Sequence, residues 1–199
     1  MKKKELEILL ERVEDIKNPD ADSEQYSTPA TVASELLFFA FADSDIEDRV
    51  VYDLGCGNGI LGIGAKLLGA REVTGIDRDG DAINVARRNS KELEVDVEFR
   101  ECDLQEVSGK VDTVVMNPPF GAQRKNRHAD RLFLEKSFEI AAVVYTILNA
   151  GSESFLRTLL PSQSAKIYRY PVIFPLKRRF WFHKSDMKSI SADIYRVEM

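Results

Sequence analysis

Apolar residues recur along this chain with two periods, one close to 3.6 and one of 2 or less, and together they predict an alternation of helices and strands. Leu6, Leu9, Leu10 and Val13 lie near helical spacing and predict a short amphipathic helix at the start. NPDADSEQYSTPA (18–30) breaks that helix, and Thr28 before Pro29 signals the next one: a capping hydroxyl, then a proline at the first helical position. ATVASELLFFAFA (30–42) continues as an apolar helix. RVVYDLGCGNG (49–59) reads as a strand entering a glycine-rich turn, and ILGIGAKLLGA (60–70) as the helix that follows. EVTGID (72–77), VDVEFRECD (95–103) and KVDTVVMNPPF (110–120) read as strands, with RDGDAINVARRNSKEL (78–93) a helix between the first two. Beyond the polar loop GAQRKNRHAD (121–130), a helix is expected from about Arg131. VVYTIL (143–148) is then a strand and GSESFLRTLL (151–160) a helix, while AKIYRYPVIFPL (165–176) and SISADIYRVEM (189–199) are strands with no helix between them.

Strands that alternate with helices predict a parallel sheet with right-handed crossovers and helices on both faces. The closing hairpin makes the sheet mixed. Seven strands with the last antiparallel resemble the Rossmann-like class I methyltransferases, an α/β fold. No internal repeat or low-complexity segment interrupts the pattern, so residues 1–199 are read as one domain.

At 199 residues and 44% hydrophobic, the chain can bury one substantial core. In the opening MKKKELEILLERVEDI the apolar residues are interleaved with acids, leaving no continuous segment for a signal peptide or membrane span, and a cytoplasmic location without membrane contact is expected. Cys56 and Cys102 stand far apart in no metal-ligand spacing, which argues against both a disulfide framework and a metal site. Charge is unevenly spread: residues 1–112 hold 14 Lys/Arg against 26 Asp/Glu, whereas residues 113–199 hold 14 against 7. The C-terminal half would attract a polyanion, most of all at LKRRFWFHK (176–184), where aromatics interleave with cations.

The chemistry concentrates at strand ends. In DLGCGNG, opened by Asp53, the spacing of Gly55, Gly57 and Gly59 lets the backbone turn sharply and lie against a ligand. A dinucleotide fingerprint would require glycine at position 60, where Ile60 stands, so a nicotinamide cofactor is disfavoured. Asp77 closes the second strand and could accept both hydrogens of a ribose diol. Asp103 closes the third and could accept from an adenine amine, with the Leu104 amide beside it. Glycine turn, acid and acid at three successive strand ends line one crevice, and the cofactor expected there is S-adenosylmethionine.

MNPPF (116–120) ends the fourth strand. A residue before proline is pushed into an extended conformation and proline fixes its own φ, so Asn117, Pro118 and Pro119 form a stiff projection. An exocyclic amine is a poor nucleophile because its lone pair is delocalised into the ring. Accepting its two hydrogens at Asn117 Oδ1 and the Pro118 carbonyl would aim that lone pair at a sulfonium methyl, while Phe120 could stack on an extruded or unpaired base.

These residues resemble the amino-group methyltransferases that carry a (D/N)PP(F/Y) motif. Within them, EQYSTPA (24–30), DLGCGNGILGIGA, NPPFGAQ and the late FHK (182–184) are similar to the methyltransferase-like 5 family in its archaeal form. The resemblance covers nearly all the chain after about residue 20. It implies N6-methylation of an adenosine in small-subunit ribosomal RNA, and cofactor contacts from Gln25, Thr28, Gly55, Asn58, Ile60, Asp77, Asp103, Leu104 and Asn117, with Tyr26 helping to close the site. Residues 1–28 would then be an N-terminal helix and cofactor-closing segment on a Rossmann-like core of residues 29–199. The resemblance also implies a partner, a small zinc-binding methyltransferase-activator subunit that joins by sheet-edge addition near VDVEF (95–99).

Two other acceptors fit the same motif, a guanine N2 amine in RNA and a protein glutamine. A non-catalytic cofactor-binding module is a further alternative, against which the intact Asn117 and glycine turn speak. The cations Arg124, Lys125, Arg127, Lys177, Arg178, Arg179 and Lys184 favour nucleic acid, and His183 beside Trp181 and Phe182 is read as an RNA contact and not as a base.

Overall fold

The computed structural model describes residues 1–16, 27–119, 129–162, 164–177 and 187–199. Seven strands form one sheet: β1 (Val50–Leu54), β2 (Glu72–Asp77), β3 (Glu98–Glu101), β4 (Val111–Met116), β5 (Ala141–Asn149), β6 (Lys166–Lys177) and β7 (Met187–Glu198). Their spatial order is β3-β2-β1-β4-β5-β7-β6. β1 to β5 pair in parallel and β7 runs antiparallel to both β5 and β6, which is the mixed Rossmann-like arrangement the sequence predicts.

Among the described residues, six helices cover the two faces: α1 (Lys3–Leu10), α2 (Ala30–Ala42), α3 (Ile60–Leu67), α4 (Gly80–Glu92), α5 (Ala129–Ile140) and α6 (Glu153–Leu159). The period of 2 along each strand sorts its side chains between two cores. Val51, Val115, Ile147 and Ile194 pack with α1, α2, α3 and α4. Their neighbours Leu54, Val114, Met116, Leu148 and Tyr195 pack with Leu134 and Phe138 of α5 and Leu156 of α6. Burial on both faces explains why the central strands read as nearly continuous apolar runs.

Two elements differ from the sequence-based expectation. α2 begins at Ala30 with Pro29 in the capping position, and no side chain caps it, so the Thr28 hydroxyl is not a helix cap. β3 is shorter than 95–103, and Asp103 lies two residues past its end, where its carboxylate caps a single 3-10 turn (Leu104–Glu106) by accepting from Gln105 N–H at 2.9 Å.

Just past the far end of α2, Asp45 Oδ2 accepts from Tyr145 Oη and from Arg196 Nε, both at 2.8 Å. This ties the helix to β5 and β7. Its beginning is tied to β4 by a different bond, which belongs to the site.

Candidate active site

The carboxyl ends of β1, β2 and β4 open on a cavity of about 640 Å³, within the usual range for a small-molecule site. Its walls include Thr28, Asp53, Gly55, Gly57, Asn58, Ile60, Asp77, Asp103, Leu104, Asn117 and Pro119, all singled out from sequence. Gly59 and Pro118 do not line it. Gln25, Tyr26, Phe120, Arg124, Lys125, Arg127, Arg178, Arg179, His183 and Lys184 lie outside the described residues, and Lys177 ends β6.

The glycine turn is pinned from the neighbouring strand. Gly55 and Cys56 donate to the Ile76 carbonyl at 2.8 and 3.0 Å, and Gly57 N–H donates to Asp77 Oδ2 at 2.9 Å. Gly57 has φ +53° and a Cβ placed on it would meet nothing within 4 Å, so its bare Cα leaves the cavity wall open. Gly59, at φ +84°, has another reason to be glycine: a Cβ there would lie 2.9 Å from Phe99 Cζ and 3.0 Å from Ala86 Cβ. The sequence reading assigned both to ligand approach. The structure adds a packing role for Gly59, the close approach of β3 and α4 to the turn.

Asp77 Oδ1 accepts from Asp79 N–H at 3.0 Å while Oδ2 accepts from Gly57. Each carboxylate oxygen keeps a second lone pair, so both could still accept from a diol. Burial raises the Asp77 pKa above the usual carboxylate value, against the pull of its backbone donors. Asp53 is 1% exposed, and its Oδ2 accepts from Gly62 N–H in the first turn of α3 at 2.8 Å. Its Oδ1 is buried with no partner among the described residues. Burial pushes its pKa up to about 7, opposed by the Gly62 bond and reinforced by the charge of Asp77. Burial also raises the Cys56 thiol well above its ordinary value, which keeps it un-ionised and inert.

Asn117 sits just past β4 on the cavity wall and donates from Nδ2 to Thr28 Oγ1 at 3.0 Å. Its Oδ1 is buried and unpaired among the described residues, as is Ser27 Oγ. A buried polar atom left without a partner is costly unless a ligand satisfies it, and three of the residues that line this cavity, Ser27, Asp53 and Asn117, carry such an atom among the described residues.

The site also uses residues that sequence reasoning passed over. Ser27, Ile16, Cys102, Phe133 and Lys136 line it as well. Lys136 Nζ is held by the Val107 carbonyl at 3.1 Å and Glu139 at 3.0 Å. Asn89, behind the wall, carried a legible signal: it is a polar residue seven positions after Ala82 on the buried stripe of α4, where an apolar residue is the norm.

A family model for the methyltransferase small domain matches residues 28–141, more than half of the chain. The chain belongs to the methyltransferase small domain family. The Methanocaldococcus jannaschii protein MJ0284 is 39% identical over all of this chain and 94% of its own length. The zebrafish (Danio rerio) rRNA N(6)-adenosine-methyltransferase METTL5 is 32% identical over 98% of each chain. Among solved structures, PH1948 from Pyrococcus horikoshii superposes with a TM-score of 0.90 at 42% identity, covering 100% of this chain and 98% of that one. This methyltransferase takes its methyl group from S-adenosylmethionine. The cavity suits that cofactor on its own terms, through an open glycine wall at Gly57, carboxylates at Asp53, Asp77 and Asp103, and unpaired acceptors to meet its polar groups.

Proposed function

We propose that this chain transfers a methyl group to the N6 amine of an adenosine in small-subunit ribosomal RNA. The observation that carries the reading is the state of Asn117, a residue of the cavity wall: Thr28 occupies its Nδ2, and its buried Oδ1 has no partner among the described residues. Such a site selects a group that donates hydrogen bonds, which an exocyclic amine does and a carbonyl or unprotonated ring nitrogen does not.

The cofactor supplies an electrophilic methyl on its sulfonium. Asn117 Oδ1 and the Pro118 carbonyl accept the two amine hydrogens and rotate the nitrogen lone pair out of conjugation, toward that methyl. Phe120 stacks on the base, and Pro118 and Pro119 keep the acceptors from yielding. The amine becomes acidic as it gains the methyl, so its proton leaves to solvent without a strong general base. Asp77 takes the cofactor's ribose hydroxyls, and Asp103 with the Leu104 amide takes its adenine. Asp53, Gly55, Gly57, Asn58 and Ile60 hold the remainder, and the segment that follows the N-terminal helix, with Gln25 reaching the cofactor and Tyr26 helping to close the site, completes it.

A guanine N2 amine or a glutamine amide would satisfy the same two acceptors. Adenosine in ribosomal RNA is preferred because the METTL5 relative aligns end to end, and because the cations Arg124, Lys125, Arg127, Lys177, Arg178, Arg179 and Lys184 fit a phosphate backbone, with His183 as a further contact. A small zinc-binding activator subunit would add at β3, which ends the sheet and pairs only with β2 among the described strands. The test is to separate transfer from binding. Asn117→Ala should lose methyl transfer to RNA while binding S-adenosylhomocysteine within about threefold of wild type. Retained full activity would remove Asn117 from the reaction.

A further inference from the structure

Asn89 lies on α4 and is 2% exposed. Its side chain is fully engaged: Nδ2 donates to the Glu14 carbonyl at 3.1 Å and the Asn58 carbonyl at 2.9 Å, and Oδ1 accepts from Glu14 N–H at 3.0 Å. Asn58 Nδ2 donates to the same Glu14 carbonyl at 3.2 Å. One amide therefore pairs both backbone groups of Glu14, as a neighbouring strand would, and also grips the glycine turn. Two residues on, Ile16 packs against Ala82 and Val85 of the same helix and lines the cofactor cavity.

We propose that Asn89 is a positioning residue for cofactor binding, joining the Glu14–Ile16 segment to the glycine turn so that the two form one wall of the cavity. The turn needs such a tie. Ile76 and Asp77 hold its N–H groups from the β2 side, and Asn89, bonded to the Asn58 carbonyl, holds it from the α4 side. A buried amide whose bonds all go to the backbone of two distant segments does what no apolar residue on that stripe could do. By linkage, whatever affinity the cofactor draws from this wall is returned as added order in the wall when the cofactor is bound.

The test uses S-adenosylhomocysteine as the probe, with calorimetry on the full chain, steady-state kinetics and amide hydrogen exchange. Asn89→Ser should weaken binding about tenfold or more and raise KM for S-adenosylmethionine in parallel, while kcat at saturation stays within about twofold. Ile16→Ala should also weaken binding, and the double variant should bind no more weakly than Asn89→Ser alone, because the wall is already released. In the wild type, bound S-adenosylhomocysteine should slow exchange at Glu14 N–H. That measurement and Ile16→Ala carry the test even if Asn89→Ser does not fold. The proposal is overturned if Asn89→Ser lowers thermal stability but binds the probe as wild type does, if the two substitutions add fully, or if Glu14 exchange ignores the probe.

Discussion

Asn117 donates its amide N–H to the Thr28 hydroxyl at 3.0 Å, an arrangement in which its Oδ1 is buried without a partner among the described residues. An asparagine side chain is symmetric in shape but not in polarity, so a free one could present either donor or acceptor. Thr28 belongs to the segment leading into α2, 89 residues away in sequence. The setting of the Asn117 amide is therefore coupled to where α2 begins.

Thr28→Val removes the oxygen and keeps the shape. The amide is then free to rotate, and kcat should fall roughly 5–30-fold, the value of one hydrogen bond of about 1–2 kcal/mol. Thr28→Ser should recover most of the loss, because it restores the hydroxyl. Equal activity in the Val and Ser variants, measured at saturating cofactor, would show that the bond has no part in catalysis.

Gly57 and Gly59 look alike in the sequence but should respond differently to alanine. At Gly59 a methyl strikes Phe99 and Ala86 in a left-handed backbone, and unfolding stability should drop by about 2–5 kcal/mol. At Gly57 there is room, so the loss should be only about 1–2 kcal/mol from the left-handed conformation, with the main effect on cofactor affinity. Chemical denaturation and calorimetry on the two variants check the contrast.

Asp53 should make the ligand-free protein less stable as pH rises. Its native pKa of about 7 lies above the ordinary 3.8, so between those values the folded state holds more protons than the unfolded chain. Stability from this group is thus fully present below 3.8, falls by up to about 1.4 kcal/mol per pH unit, and is gone above about 7. Asp77 shifts in the same direction. Relative to wild type, Asp53→Asn should gain roughly 2–3 kcal/mol between about pH 5 and pH 8 in denaturant melts. A pH-independent difference would mean that Asp53 is ionised throughout.

The sheet was legible in the sequence because burial on both faces leaves runs such as VDTVVM with no polar interruption, and because each turn carries its own glycine or proline. Asp77 was legible as the last residue of β2, whereas Asp103 lies beyond the shorter β3 and caps a 3-10 turn. Thr28 was misread because threonine before proline is an ordinary capping pattern, and only the tertiary fold brings its hydroxyl to Asn117. The packing role of Gly59 was not legible because a glycine that admits a neighbouring Phe99 and one that admits a ligand have the same one-letter code. Asn89 is marked locally as a polar residue on the buried stripe of α4, but its bonds to Glu14, like the packing of Ile16 on α4, join segments far apart in sequence, which no local pattern records.

The account is tested most directly by incubating the protein, with and without an activator subunit, with labelled S-adenosylmethionine and small-subunit ribosomal RNA, then digesting the RNA to nucleosides. It predicts label in N6-methyladenosine, lost when Asn117 is replaced by alanine. Label in N2-methylguanosine, or in protein and not in RNA, would contradict it.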